Sequence, residues 1–143
     1  MRADGPAFPG AREFPEGTRT AQDAAAAIGC SVAQIVKSLV FLTRSHPPRP
    51  LLVLCSGANT VDAARLGLEK ADAAVVREAT GFAIGGVPPY GHPAPLQTLV
   101  DEDLLEFAEV WAAAGTPRSV FPLTPTQLVE RSGGTVMDVS PAS

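Results

Sequence analysis

Fourteen prolines and thirteen glycines stand in this chain of 143 residues, and no other feature limits its fold as much. Proline breaks helix interiors and central strands, and glycine weakens both. The elements between such breaks must be short. The length is that of one domain, enough to bury roughly two thirds of the surface of the unfolded chain without disulfide staples. Alanine supplies 23 residues of the 45% hydrophobic share, so the core rests on fewer large side chains. With only 18% charged residues and a mean hydropathy of +0.15, a disordered chain is excluded.

The prolines and glycines divide the chain as follows. Residues 1–19, with Pro6, Pro9 and Pro15, are expected to form a loosely held arm, and residues 20–143 the folded domain. Thr20 with Asp23 caps an alanine-rich helix that ends at Ile28 before Gly29. Ser31 caps one further turn, and Leu39–Leu42 and Leu51–Cys55 read as strands of a hairpin spanning residues 37–56. Thr60–Leu66 is expected as a helix opened by Thr60, and Ala73–Val76 as a short strand. Thr80–Pro95 suits a strand and loop, because its four glycines and four prolines forbid a helix. Strands follow at Gln97–Val100, Val110–Ala114, Ser119–Phe121 and Thr135–Val139. Asp101 caps a short helix over Asp103–Phe107, and Thr124-Pro125-Thr126-Gln127 is a capping box for a helix to Arg131. The fold class is α+β, one domain with a mixed sheet and short flanking helices.

Apolar runs reach only four or five residues, as in Leu51–Cys55, where a membrane span needs about 20. No charged segment followed by an apolar one opens the chain, so no secretory leader is expected and the cytoplasm is the expected compartment. A net charge of −4 and a pI of about 5.1 exclude a generic charge-driven nucleic-acid binder, and no DNA partner is expected. The charge is uneven. Residues 1–71 carry +2 and residues 72–143 carry −6, so an anionic ligand should meet the first half. Cys30 and Cys55 lack Cys-x-x-Cys spacing and read as two reduced, buried thiols. Two distant histidines, His46 and His92, complete no metal set, and no cofactor is expected.

Known catalytic motifs are missing as well. Gly81–Gly86 lacks the dinucleotide spacing, and no P-loop or nucleophile elbow occurs. Lys37 and Ser38 cannot form a dyad on a strand, since neighbours there point to opposite faces. Lys37 interrupts the apolar stretch Val32–Leu42. It is either a lysine with its stem laid on apolar surface or a cation at a cleft mouth for a phosphate or carboxylate. Gly85-Gly86-Val87-Pro88-Pro89 is either a surface turn or a loop whose backbone N–H groups meet a carbonyl oxygen, held stiff by its prolines.

Taken in order, the Thr20–Gly29 helix, Gln34-Ile35-Val36-Lys37-Ser38-Leu39-Val40 and Thr80–Pro89 resemble the YbaK / prolyl-tRNA synthetase-associated editing domains. The resemblance covers roughly residues 20–140. It implies a compact domain on a curved, barrel-like sheet, and an aminoacyl-tRNA deacylase that hydrolyses the ester of a wrongly charged amino acid. Lys37 falls on the family's lysine, and Gly85 and Pro89 on its G-x-x-x-P loop. The implied roles put Lys37, Gly85 and Gly86 in catalysis and Val87, Pro88, Pro89, His92, Ala113 and Gly115 around the substrate. A ribose hydroxyl of the terminal adenosine is implied to assist. The implied partners are the acceptor end of a mischarged tRNA, most plausibly tRNA(Pro), and a prolyl-tRNA synthetase; the other reading is a non-catalytic module that binds aminoacyl-tRNA or a synthetase. An activated ester needs a positioned water more than a strong base, which fits a chain without a Ser/His/Asp set. Ala112-Ala113-Ala114-Gly115 and Pro88 stand where cysteine-specific members are more polar, so cysteine is not the expected side chain, and a small one such as alanine, serine or threonine is. His92 serves either substrate contact or a hydrogen bond within the loop, and Asp101 reads as a helix cap rather than a base.

Overall fold

The computed structural model describes residues 8–15, 17 and 20–141. Eight strands form one mixed sheet: β1 (Arg12–Glu13), β2 (Ile35–Thr43), β3 (Pro50–Ser56), β4 (Leu68–Lys70), β5 (Gln97–Asp101), β6 (Val110–Ala113), β7 (Ser119–Leu123) and β8 (Thr135–Met137). Four short helices accompany it: α1 (Ala21–Ile28), α2 (Ala63–Leu66), α3 (Ala73–Thr80) and α4 (Pro125–Ser132). Neighbouring strands run β1-β7-β6-β2-β3-β5-β8, and β4 adds to β2.

The sheet is buried on both sides. Leu52 and Leu54 of β3 join one core with Val76 of α3, Leu128 of α4 and Phe121 of β7. The alternate residues Leu51, Val53 and Cys55 join a second core with Phe41, Leu68 and Val139. A smaller cluster seats α1 on Ile35, Trp111 and Val120. This two-sided burial is why β2 and β3 read as continuous apolar runs.

Caps hold α1 and α4 where the sequence puts them. Thr20 Oγ1 accepts from Asp23 N–H at 3.0 Å, and Thr124 and Gln127 exchange the two bonds of a capping box. Several expectations are corrected. Ala73–Val76 is no strand but the start of α3: Asp72 caps it by accepting from Val75 N–H at 2.9 Å, and Gly81 ends it in the left-handed region. The paired valines suggest a strand locally, but the cap and the closing glycine decide. The helix expected over 60–66 begins only at Ala63, because Asp62 rather than Thr60 is its cap. No strand forms between Thr80 and Pro95; Thr80 completes α3, and turns follow. The last strand stops at Met137, and the short helix after Asp101 is a 3₁₀ turn over Glu102–Glu106. Within residues 1–19, β1 pairs with β7 through Arg12 opposite Val120 and Glu13 opposite Ser119, while residues 1–7, 16, 18 and 19 lie outside the described residues. Among the described residues no helix is long and apolar enough to cross a membrane.

Candidate active site

β2 sits in the middle of the sheet, yet one of its edges is interrupted. On one side it pairs with β3 from Val36 to Leu42. On the other, β6 reaches only Ile35 and Val36, and β4 only Phe41 to Thr43. Residues 37–40 therefore have no strand partner on that side among the described residues. Thr43 N–H donates to Arg49 O, and Ile35 O accepts from Gly57 N–H, so the odd-numbered residues turn their peptide groups toward β3. By alternation, the N–H and C=O groups of Ser38 and Val40 face the gap. A cleft of about 560 Å³ opens there, with walls that include Val36, Val40, Val87, Trp111 and Ala112.

Lys37 stands at the end of this gap nearest β6 and is half-buried. Its ammonium donates to the backbone carbonyl of Asn59 at 2.5 Å. The Asn59 side chain is itself fixed, because Nδ2 donates to Asp101 Oδ2 at 2.9 Å and to Asp103 Oδ2 at 2.8 Å. Asp101, only 1% exposed, also accepts from the N–H groups of Ser56 and Asp103, each at 3.0 Å. A buried carboxylate is tolerable only with such donors. Two separate stretches of chain, 56–59 and 101–103, thus position one lysine. Asp101 is indeed a cap, and it also anchors this network. Next to Lys37 on the paired strand, burial pushes the Cys55 thiol up to about 12 against the opposing pull of the Lys37 charge. Both cysteines are free; Cys55 is buried, whereas Cys30 is only half-buried, contrary to the expectation of two buried thiols.

Loop 85–89 forms the facing wall. Gly85 has φ +89°, a conformation that favours glycine, and it borders the cleft with Val87. Gly86 is used differently. Its N–H donates to Ala83 O at 2.9 Å, and a Cβ there would lie 2.8 Å from the Thr116 backbone. Pro88 and Pro89 are buried. His92 Nε2 donates to Pro88 O at 2.8 Å. Burial lowers the imidazole pKa from its usual value, and the Pro88 carbonyl opposes that shift. The ring therefore braces the loop, and burial favours its neutral form.

Of the residues singled out in the sequence, Lys37, Gly85, Val87 and Ala113 border one cleft. Gly86, Pro88, Pro89, His92 and Gly115 do not; they shape the loop and its support. Gly115, at φ +107°, packs so that a Cβ would meet the Phe82 ring at 3.3 Å. Sequence reasoning missed Asn59 and Asp103, whose bond joins residues 44 apart, and no local pattern marks that pairing. Among the described residues no cluster of three or more His, Cys, Asp or Glu could hold a metal ion.

Comparison with known proteins places the chain in a family. This chain belongs to the aminoacyl-tRNA editing domain family, whose model matches residues 15–130. It is 32% identical over 126 residues to the uncharacterised protein YwhH of Bacillus subtilis (strain 168), covering 84% of this chain and 79% of that protein. A solved candidate trans-editing enzyme for prolyl tRNA synthetase is 50% identical, with a TM-score of 0.84 over 92% of this chain and 86% of that one. The solved hypothetical protein APE2540 is 31% identical, with a TM-score of 0.82 over 92% and 90%.

Proposed function

We propose that this protein is a trans-acting aminoacyl-tRNA deacylase, removing a small, wrongly attached amino acid, with tRNA(Pro) as its substrate. The observation that carries this reading is the placement of Lys37, Gly85 and Val87 on one apolar-walled cleft. Lys37 holds the phosphate at the terminal adenosine, and the loop backbone at Gly85 and Val87 receives the ester carbonyl. Water adds to the acyl carbon, the bond to the ribose oxygen breaks, and that oxygen takes up the proton, leaving free amino acid and a tRNA with an intact 3′ end. The walls formed by Val87, Ala112 and Ala113 favour a short apolar side chain over a polar one. Such a second site is needed because a synthetic pocket discriminates poorly against small or isosteric side chains.

Deacylation of a panel of mischarged tRNAs tests the assignment. Ala-tRNA(Pro) is expected to be cleaved, and Lys37→Ala to remove most of that activity while the thermal transition stays within a few degrees of wild type. Wild-type turnover by a folded Lys37→Ala variant would exclude the lysine from the chemistry. Two features favour a non-catalytic, tRNA- or synthetase-binding module instead: Gly86 N–H is already committed to Ala83 O, and His92 is tied to Pro88 O outside the cleft. Binding without deacylation of any substrate in the panel would decide for that module.

A further inference from the structure

The chain contains only two lysines, Lys37 and Lys70, and both border the same cleft. Their arrangement follows from the sheet. Lys37, Leu39 and Phe41 alternate along β2 and so share a face. Lys70 lies directly opposite Phe41 on β4, and directly opposed residues of an antiparallel pair stand on the same face. The two lysines therefore stand on one side of the sheet, one at each end of the interrupted edge, with Leu39 between them. Four positions along a strand correspond to about 13 Å between their backbones. Lys70 is exposed, and among the described residues no ion pair or hydrogen bond engages its side chain. Glu69, the neighbouring anion, is opposite Leu42 and points to the other face.

A lone ester of a free amino acid or nucleoside has no use for a second cation this far from the first. A single-stranded nucleic-acid end does, because its phosphates repeat along the chain and a basic groove tracks them. We propose that Lys70 is a second phosphate-binding residue, taking the phosphodiester one nucleotide before the one held by Lys37. The cleft thus reads at least the last two nucleotides of the acceptor strand. This inference rests on the acceptor-end reading above, and it assigns a residue and a minimum ligand length to it.

Because there are two lysines, ¹³C-lysine labelling yields two ε-methylene NMR signals, assignable with Lys37→Gln and Lys70→Gln. The probes are the unacylated trinucleotide CpCpA, with two phosphodiesters, and adenosine, with none. CpCpA should shift both signals, with the shift of Lys70 fading as KCl rises, and adenosine should leave Lys70 in place. Lys70→Gln should lower the slope of log affinity against log salt by about 0.7, the value for one single-strand phosphate contact. Lys70→Arg should restore most of it. Arg49→Gln, which removes a charge from the exposed hairpin loop, should leave the slope unchanged. A Lys70 signal that stays still with CpCpA overturns the proposal, as does an Arg49→Gln variant that matches Lys70→Gln. No catalysis is involved, so the deacylase reading is judged separately. Shifts at both lysines without deacylation would remove the enzyme and keep the site, while deacylation with a silent Lys70 would do the reverse.

Discussion

Asn59 joins the site to the core, and its replacement by alanine has a calculable cost. Its side-chain amide donates to two carboxylates, Asp101 and Asp103, at 2.9 and 2.8 Å. A hydrogen bond to a charged group contributes about 1.5–3 kcal/mol. Asp103 is partly exposed and water takes over its share, whereas Asp101 at 1% exposure keeps only its two backbone donors. The loss should be about 2–4 kcal/mol. For a chain of this length roughly 3 °C of melting temperature accompanies each kcal/mol, so the midpoint should fall by roughly 6–12 °C. Asn59→Asp, which replaces the donor by a third carboxylate, should cost at least as much. Chemical denaturation with calorimetry measures both. The carbonyl that receives Lys37 belongs to the same residue, so deacylation measured well below the midpoint should also drop, by about tenfold or more, as the lysine loses its fixed position. An Asn59→Ala protein within about 0.5 kcal/mol of wild type would refute the idea that this network carries stability. Full activity in a destabilised variant would refute its role in placing Lys37.

The two loop glycines should fail for different reasons. Gly86→Ala forces a methyl to 2.8 Å from the Thr116 backbone and should lower stability by about 1–3 kcal/mol, with activity lost in step; a normal melting temperature would count against this packing. Gly85→Ala strains a residue at φ +89°, costing about 1–2 kcal/mol, and should depress deacylation beyond what its stability loss explains, since this residue borders the cleft. Cys55 should resist alkylation in the native protein at neutral pH. Its folded pKa of about 12 exceeds the usual 9.0, so its contribution to stability is complete below pH 9 and is lost as pH rises toward 12. Cys55→Ala should therefore flatten the alkaline decline of stability between those limits, and an unchanged decline would rule the thiol out.

The starts of α1 and α4 were readable because their signals are local: Thr20 meets Asp23, and Thr124 meets Gln127, within one turn. β2 and β3 were readable because burial on both faces leaves them uniformly apolar. Lys37 and the glycine-proline loop stood out as breaks in such patterns, and the structure places Lys37, Gly85 and Val87 on one cleft. What stayed hidden depends on distant partners. Asp72 and Gly81 bracket α3, but the valines between them carry a strand's propensity, and packing of Val76 into the core overrides it. The Asn59–Asp101 bond joins residues 42 apart, and nothing near either one announces the other. The role of Gly86 is equally non-local, since the backbone that excludes a side chain there is that of Thr116.

The break in strand pairing along β2 also bears on how the protein avoids its own kind. An unpaired stretch of apolar strand, here Ser38-Leu39-Val40, offers peptide groups to any extended segment that can lie beside it. In a crowded solution that is an invitation to self-association. Two properties of this stretch work against it: it is too short for a stable intermolecular ladder, and a lysine stands at each end. A strand from a second copy would have to bring its own backbone between two like charges and would gain few hydrogen bonds for doing so. Neutralising both lysines should thus make the protein more prone to aggregate, even where the folded monomer is no less stable.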